Sequence, residues 1–195
     1  ESRLFQLDSK NSTYAFQINE GGYLVHLYYG KKLSSLQGLE KNAFRGVYDS
    51  LSPQNPYVDD PYFSLDIAPL EFPCNGAGDF RISALSVRGE KGDTVTDMHY
   101  VSHRILPGKP GLSGLPAAFG EEGKAQTLEI ELTDKVTGVR AFLLYTVFAD
   151  FDVITRSARL ENRGQAPVDL ERAYSACLEL PGMGFDCIHL HGRWA

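Results

Sequence analysis

The chain has 195 residues, of which 43% are hydrophobic, 23% charged and 11% aromatic. This excludes a disordered or fibrous chain, and a chain of this length buries roughly 70% of its unfolded surface without staples. The balance of 19 basic against 25 acidic residues leaves a net charge of -6. No stretch gathers Lys and Arg into a phosphate-tracking stripe, so nucleic acid is not expected as a partner. The longest apolar run, Ala141 to Ala149, is far short of the roughly 20 residues of a bilayer helix, so no membrane partner is expected either. One large domain or two small ones fit this length.

The first residue is Glu1, and no basic-then-apolar leader follows it, so a signal peptide is read as absent or already removed. Cys74, Cys177 and Cys187 form no C-x-x-C pair. They point to reduced thiols and a cytoplasmic protein, without a disulfide framework or a structural zinc. The chemistry of buried cysteine predicts small core hydrophobes at these positions.

In chain order, short runs of alternating or β-branched and aromatic residues recur between turn signals, and no window keeps apolar residues at helical spacing. Strands are predicted over 4–7, 14–18 and 23–29, with Asn19-Glu20-Gly21-Gly22 as the tight connection between the last two. In 23–29 both alternating faces are apolar, which suits a strand covered on both sides. Periodicity then collapses from Lys31 to Pro73, a proline-rich loop with too many apolar residues for a free tether. Loops of this length are usually functional or docked. Strands resume over 80–88, 94–98 and 100–106, with residues 88–93 as a hairpin turn, and continue over 127–133, 139–148, 153–162 and 168–180 as hairpin-linked runs. One face of 153–162 carries Thr155, Ser157 and Arg159 and is expected to be partly wet. Some ten to fourteen strands cannot lie in one sheet without exposing an apolar face, so an all-β, large antiparallel sandwich of two sheets is expected.

Chemical motifs are sparse. Sugar hydrolysis needs two carboxyl groups about 5 to 9 Å apart, and 25 acids nominate too many pairs to choose one. Asp59-Asp60 and the pair Asp150 and Asp152 fall in turns, where Asp bonds to local backbone. His189 and His191 share one face of a strand but lack an evident third ligand, so no metal site is assigned. Gly76-Ala77-Gly78-Asp79 lacks the strand before and helix after that a dinucleotide fingerprint requires, and reads as a turn. His26, His99 and His103 lie in strand-like runs as core or edge residues. The tyrosines and Trp194 suit either sugar stacking or core packing. No cofactor is expected.

Phrases spread along the whole chain carry a resemblance. They are Gly22-Tyr23-Leu24-Val25-His26-Leu27-Tyr28-Tyr29-Gly30-Lys31, Phe63-Ser64-Leu65-Asp66, Glu71-Phe72-Pro73 with Gly78-Asp79-Phe80-Arg81, and Gly108-Lys109-Pro110-Gly111-Leu112-Ser113-Gly114-Leu115-Pro116-Ala117. Gln126-Thr127-Leu128-Glu129-Ile130, Asp152-Val153-Ile154-Thr155-Arg156-Ser157-Ala158-Arg159 and Ile188-His189-Leu190-His191-Gly192-Arg193-Trp194 complete the set. In this order they resemble the N-terminal domain of bacterial family-36 glycoside hydrolases, the α-galactosidases. The resemblance implies a single β-supersandwich domain over 1–195, like that of the galactose mutarotases, with the catalytic barrel and the C-terminal domain lying beyond Ala195. It implies that both catalytic aspartates belong to that barrel, because no residue here matches either one. Partners implied are the barrel of the same parent chain, neighbouring subunits of a homo-oligomer, a tetramer in such enzymes, and an α-galactoside substrate. It further implies that the loop at about 45–66 reaches a neighbouring subunit's active site, which makes Tyr48 and Asp49 the candidate substrate-binding residues. Two other readings remain open: a carbohydrate-binding module, and a mutarotase-like epimerase, which needs a His and a Glu facing each other in an open cleft.

Overall fold

The computed structural model describes residues 3–43, 55–60 and 63–180, together with 184, 186, 188, 190 and 192. Nine strands run through them: β1 (Arg3–Asp8), β2 (Ser12–Ile18), β3 (Leu24–Lys31), β4 (Leu85–Gly89), β5 (Met98–Pro107), β6 (Ala125–Asp134), β7 (Val139–Phe148), β8 (Val153–Asn162) and β9 (Val168–Ala173). All pairings between strands are antiparallel, in sheets ordered β1-β2-β3, β4-β9 and β5-β6-β7-β8. The all-β supersandwich class expected from the sequence is what the chain adopts.

Turn chemistry fixes the hairpins. Between β2 and β3 the Asn19 side chain accepts the Tyr23 N–H at 2.9 Å, and Gly22 takes φ +83°, a left-handed conformation that suits glycine. Between β6 and β7 the Asp134 carboxylate accepts the N–H groups of Val136 and Thr137 at 2.7 and 2.9 Å, and its other oxygen takes the Asp97 N–H at 2.8 Å. Asp152 caps the β1–β2 turn from outside, accepting the Asn11 N–H at 2.6 Å and the Ser9 hydroxyl at 2.9 Å.

Three sheets make two layers because residues 69–74, outside the nine strands, connect two of the sheets through isolated bridges. Val25 bridges Leu70 and Cys74 bridges Leu85, while His26 N–H reaches Pro69 O at 2.7 Å and Glu71 N–H reaches Leu24 O at 3.0 Å. The front layer therefore runs β1-β2-β3, connecting segment, β4-β9. Its inner side chains, Tyr14, Phe16, Ile18, Leu24, Phe72 and Leu85, meet Leu128, Ile130, Leu132, Ala141, Leu143 and Tyr145 of the back layer in one core. Strict alternation on β6 sends Leu128, Ile130 and Leu132 inward and Glu129 and Glu131 outward. A second cluster of Tyr23, Val25, Val58, Leu65, Ala68 and Leu70 lies on the outer face of β3. The strand is thus covered on both sides, as its apolar alternation requires, although a loop rather than another sheet supplies the second cover.

Several boundaries differ from expectation. Residues 80–84 and 94–97 are not strand, and Phe80 and Ile82 stand exposed. Residues 88–93 do form a turn, closed by Gly89 N–H to Asp93 O at 2.8 Å, but β4 then pairs with β9. The last strand stops at Ala173 rather than 180 and leaves the meander to join the front layer. The long loop contains a 3₁₀ turn, Leu39–Ala43.

Candidate functional site

Both sequence-nominated substrate contacts, Tyr48 and Asp49, lie outside the described residues, as do His189, His191, Cys187 and Trp194. The two flanks of the 44–54 stretch are described, and they meet at one cluster. On the leading side Asn42 donates from Nδ2 to Leu27 O at 3.1 Å, and Ala43 packs on the cluster around Tyr23 and Val25. On the trailing side Asn55 donates to the Tyr23 hydroxyl at 3.1 Å, Val58 is buried in the same cluster, and the Asp59 N–H reaches Glu20 at 2.7 Å. A Cβ added to Gly21 would stand 2.7 Å from the Val58 methyl, so only glycine lets the loop approach this closely.

His99 braces that base. Its Nδ1 donates to Gly21 O at 2.7 Å and its Nε2 to Asp97 Oδ2 at 2.9 Å, while Tyr57 meets its ring edge-on at 4.6 Å. Both ring nitrogens face acceptors, which suits the imidazolium. Burial works against that charge, but Asp97 and the Gly21 carbonyl outweigh it and raise the His99 pKa above 6.5. Arg81 fastens the far side of the loop, donating from Nη2 to Leu65 O at 2.6 Å and Ala68 O at 2.9 Å, and pairing with Asp79 and Glu179. The Gly76 to Asp79 segment is the expected turn, with positive φ at Gly76 and Gly78.

A His–Glu pair does occur, in a place the sequence did not nominate. Glu71 is 0% exposed and His26 2%, and His26 Nδ1 donates to Glu71 Oε1 at 2.8 Å. The carboxylate also accepts the Tyr14 hydroxyl at 2.6 Å and the Tyr145 hydroxyl at 2.9 Å, and pairs with Arg156 at 3.1 Å. Arg156 spans further, donating to Glu71 O at 3.1 Å and Cys177 O at 3.0 Å, with its guanidinium 4.6 Å from the Tyr145 ring centre. Burial by itself would raise the Glu71 pKa, yet the His26 hydrogen bond and the Arg156 charge hold it below its ordinary value. Burial, reinforced by the Glu71 charge, pushes both phenols well up, so they remain donors. Sealed from solvent, this pair offers no open cleft to a sugar. It ties β2, β3 and the connecting segment to β7 and β8.

The signal for this cluster was present but weak. Glu71 is the one charge in the run Leu70-Glu71-Phe72-Pro73, and Arg156 shares the inward register of Ala158. Which tyrosines answer them depends on how the layers face one another.

On the outer face of the back layer a hollow of about 370 Å³ is lined by Arg104, Glu129, Glu131, Arg140, Phe142 and Arg159, among others. Arg104 bonds Glu129 at 2.7 Å, Arg140 pairs with Glu131, and Arg159 lies 3.9 Å from the Phe142 ring centre while pairing with Glu161. The arginines already have acidic partners, and a guanidinium occupies the aromatic face that a sugar would use. His103 is an exposed edge residue, Cys74 is buried with its thiol pushed up by burial, and Cys177 is half-buried. Among the described residues no group of His, Cys, Asp and Glu is arranged to hold a metal.

Comparison with known proteins agrees with this frame. Residues 22–195 match the glycosyl hydrolase family 36 N-terminal domain. α-Galactosidase AgaA of Geobacillus stearothermophilus is 43% identical over 195 residues, covering 100% of this chain and 26% of that protein. The bifunctional α-galactosidase/sucrose kinase AgaSK of Mediterraneibacter gnavus is 41% identical over 99% of this chain and 20% of its own length. A crystal structure of an AgaA variant with raffinose superposes with a TM-score of 0.85 at 42% identity, over 92% of this chain and 25% of that one. The α-galactosidase of Lactobacillus brevis does so with a TM-score of 0.83 at 31% identity, over 91% and 24%. The chain thus spans about a quarter of the length of these relatives. With the fold, the matched residues and the identities in agreement, the chain belongs to the glycosyl hydrolase family 36 N-terminal domain family.

Proposed function

We propose that these residues are the non-catalytic N-terminal body of an α-galactosidase, whose barrel hydrolyses terminal α-galactosides, and that they shape the active-site entrance and the oligomer interface. The observation that carries this reading is the bolted loop base. Asn42 and Ala43 on one flank, and Asn55, Tyr57 and Val58 on the other, converge on Tyr23, Gly21 and His99. Anchoring of both flanks on a rigid layer supports a substrate-contact role for the stretch between them, which includes Tyr48 and Asp49. Sealing of the Glu71–His26 pair supports a structural rather than an epimerase role for that pair. Its partners are the barrel of the same polypeptide and neighbouring subunits, as a tetramer. Free thiols at Cys74 and Cys177 fit a reducing cytoplasm.

The test is Asp49→Ala in the full-length enzyme. KM for a raffinose-type substrate rises by at least about 5-fold while kcat changes less than about 2-fold, the pattern of lost binding that is uniform between substrate and transition state. An unchanged KM removes the loop from substrate binding. Residues 1–195 alone leave a chromogenic α-galactoside unhydrolysed; turnover surviving repurification refutes the division of labour.

A further inference from the structure

Residues 55–59 dock on the β2–β3 turn as well as on β3, because Val58 packs against Gly21 and the Asp59 N–H reaches Glu20. That turn is fastened to β5 by the Tyr100 N–H on Gly22 O at 2.9 Å and by His99 Nδ1 on Gly21 O at 2.7 Å. The first is a backbone bond that pH does not alter. The second depends on a proton. Gly21 O and the Asp97 carboxylate, 2.9 Å from Nε2, are both acceptors, so only the imidazolium serves the two at once. A neutral ring keeps one N–H, and the charged acceptor is the stronger of the two. Deprotonation therefore leaves Nε2 on Asp97 and turns a lone pair of Nδ1 towards Gly21 O, which withdraws the fastening at the residue that Val58 covers.

Each element packed on the ring contributes a group that bears on this proton. Asp97, just before β5, takes the Tyr23 hydroxyl at 3.1 Å, and its own N–H is held by Asp134. Burial pushes the Tyr23 phenol up, so it stays a donor. Its ring lies 4.8 Å from the imidazole, and Tyr57 of the loop meets the imidazole edge-on. Lys135, from the β6–β7 turn, stands 5.9 Å from the Tyr57 ring centre. Burial opposes the imidazolium most strongly and Lys135 adds to that, but Asp97 and the Gly21 carbonyl outweigh both and place the titration above 6.5.

We propose that His99 is a positioning residue for substrate binding: its imidazolium fixes the β2–β3 turn under residues 55–59, and loss of that proton weakens the binding of an α-galactoside. This rests on the reading that the stretch between the anchored flanks contacts substrate. The reacting groups belong to the barrel in that reading, so a loosened loop base removes binding common to substrate and transition state, which appears in KM rather than in kcat. The sign is fixed by the geometry. Affinity is complete while the ring is charged and falls as pH rises through the titration of His99. By linkage, bound substrate holds the proton more tightly.

The test follows the full-length enzyme from about pH 6 to about pH 9 with two readouts. One is hydrogen exchange at the Tyr57 and Asp59 amides, which donate to Asn55 and Glu20, each rate taken relative to unstructured chain at the same pH. The other is KM and kcat for raffinose. In the parent, protection falls and KM rises by at least about 5-fold across one shared titration. His99→Gln shows the weakened protection and the raised KM at every pH, with the pH profile of kcat unchanged. Asp97→Asn keeps the ring and an acceptor oxygen but removes the charge, and moves both changes down by about 1 pH unit. A purely structural defect does not move a titration, and this variant decides the matter even where His99→Gln folds poorly. Protection that is independent of pH in the parent, or a titration that Asp97→Asn leaves in place, overturns the role of His99 without touching the loop. Protection that titrates while KM stays constant overturns the link to substrate, and an unchanged KM in Asp49→Ala then sinks the loop reading on which it rests.

Discussion

Glu71 concentrates the chemistry of this domain in one carboxylate, met by two phenols, an imidazole and a guanidinium at full burial. Removing one partner of a buried pair costs about 3 to 5 kcal/mol because the other charge is left unpaired. Glu71→Ala is therefore expected to lower the unfolding midpoint of the domain by roughly 10 °C, read by thermal scanning. The pH dependence has two limbs. Glu71 titrates below its ordinary 4.5 when folded, so its contribution is complete above that value and is withdrawn as pH falls through the folded pKa. His99 titrates above 6.5 when folded, so its contribution is complete below 6.5 and is withdrawn as pH rises through the folded pKa. His99→Gln should flatten the alkaline limb of midpoint against pH and leave the acid limb in place. The sequence made His99 and His26 legible as core residues but not their partners: Gly21 and Glu71 are brought to them by pairing and crossing of distant segments, and Asp97, two residues before His99, turns to its ring through the local backbone.

At the scale of elements, hairpins were the most legible feature, because a local turn and two alternating runs suffice to specify them. The expected limits of β7 and β8 coincide with those observed. Misreadings arose where a strand-like pattern lacks a neighbour. Phe80 and Ile82 alternate around Arg81, but the guanidinium locks that segment to Leu65 O and Ala68 O instead of a ladder. β9 abandons β8 for β4 across about eighty residues of sequence, a non-local choice that alternation does not encode. Asp134 shows how one residue holds an element boundary. Replacing it by Ala leaves the Val136, Thr137 and Asp97 amides without their acceptor, at a cost of about 2 to 3 kcal/mol. Faster exchange at those three amides, with the middle of β7 unchanged, is the expected readout. In the middle of that strand, Leu143→Ala at 1% exposure is expected to cost about 2 to 5 kcal/mol through the cavity it opens, measured by urea unfolding.

At the scale of the molecule, the same cluster that buries a charge joins the two layers, since Tyr14, His26 and Glu71 come from the front and Tyr145 and Arg156 from the back. The layers are expected to unfold together, so far- and near-ultraviolet dichroism should report one coincident transition. Arg156→Ala should lower that transition and also free the segment at Cys177, which proteolysis would cut faster than in the parent. The sequence by itself determined the strand-rich class, the hairpins and the family phrases, because these depend on local alternation, turn residues and the linear order of motifs. Tertiary structure alone decided that three sheets become two layers, that a His–Glu pair is sealed rather than open, and that the long loop is held at both ends. Each of these depends on which faces meet across segments far apart in the chain, and burial and hydrogen bonding between such segments have no local signature.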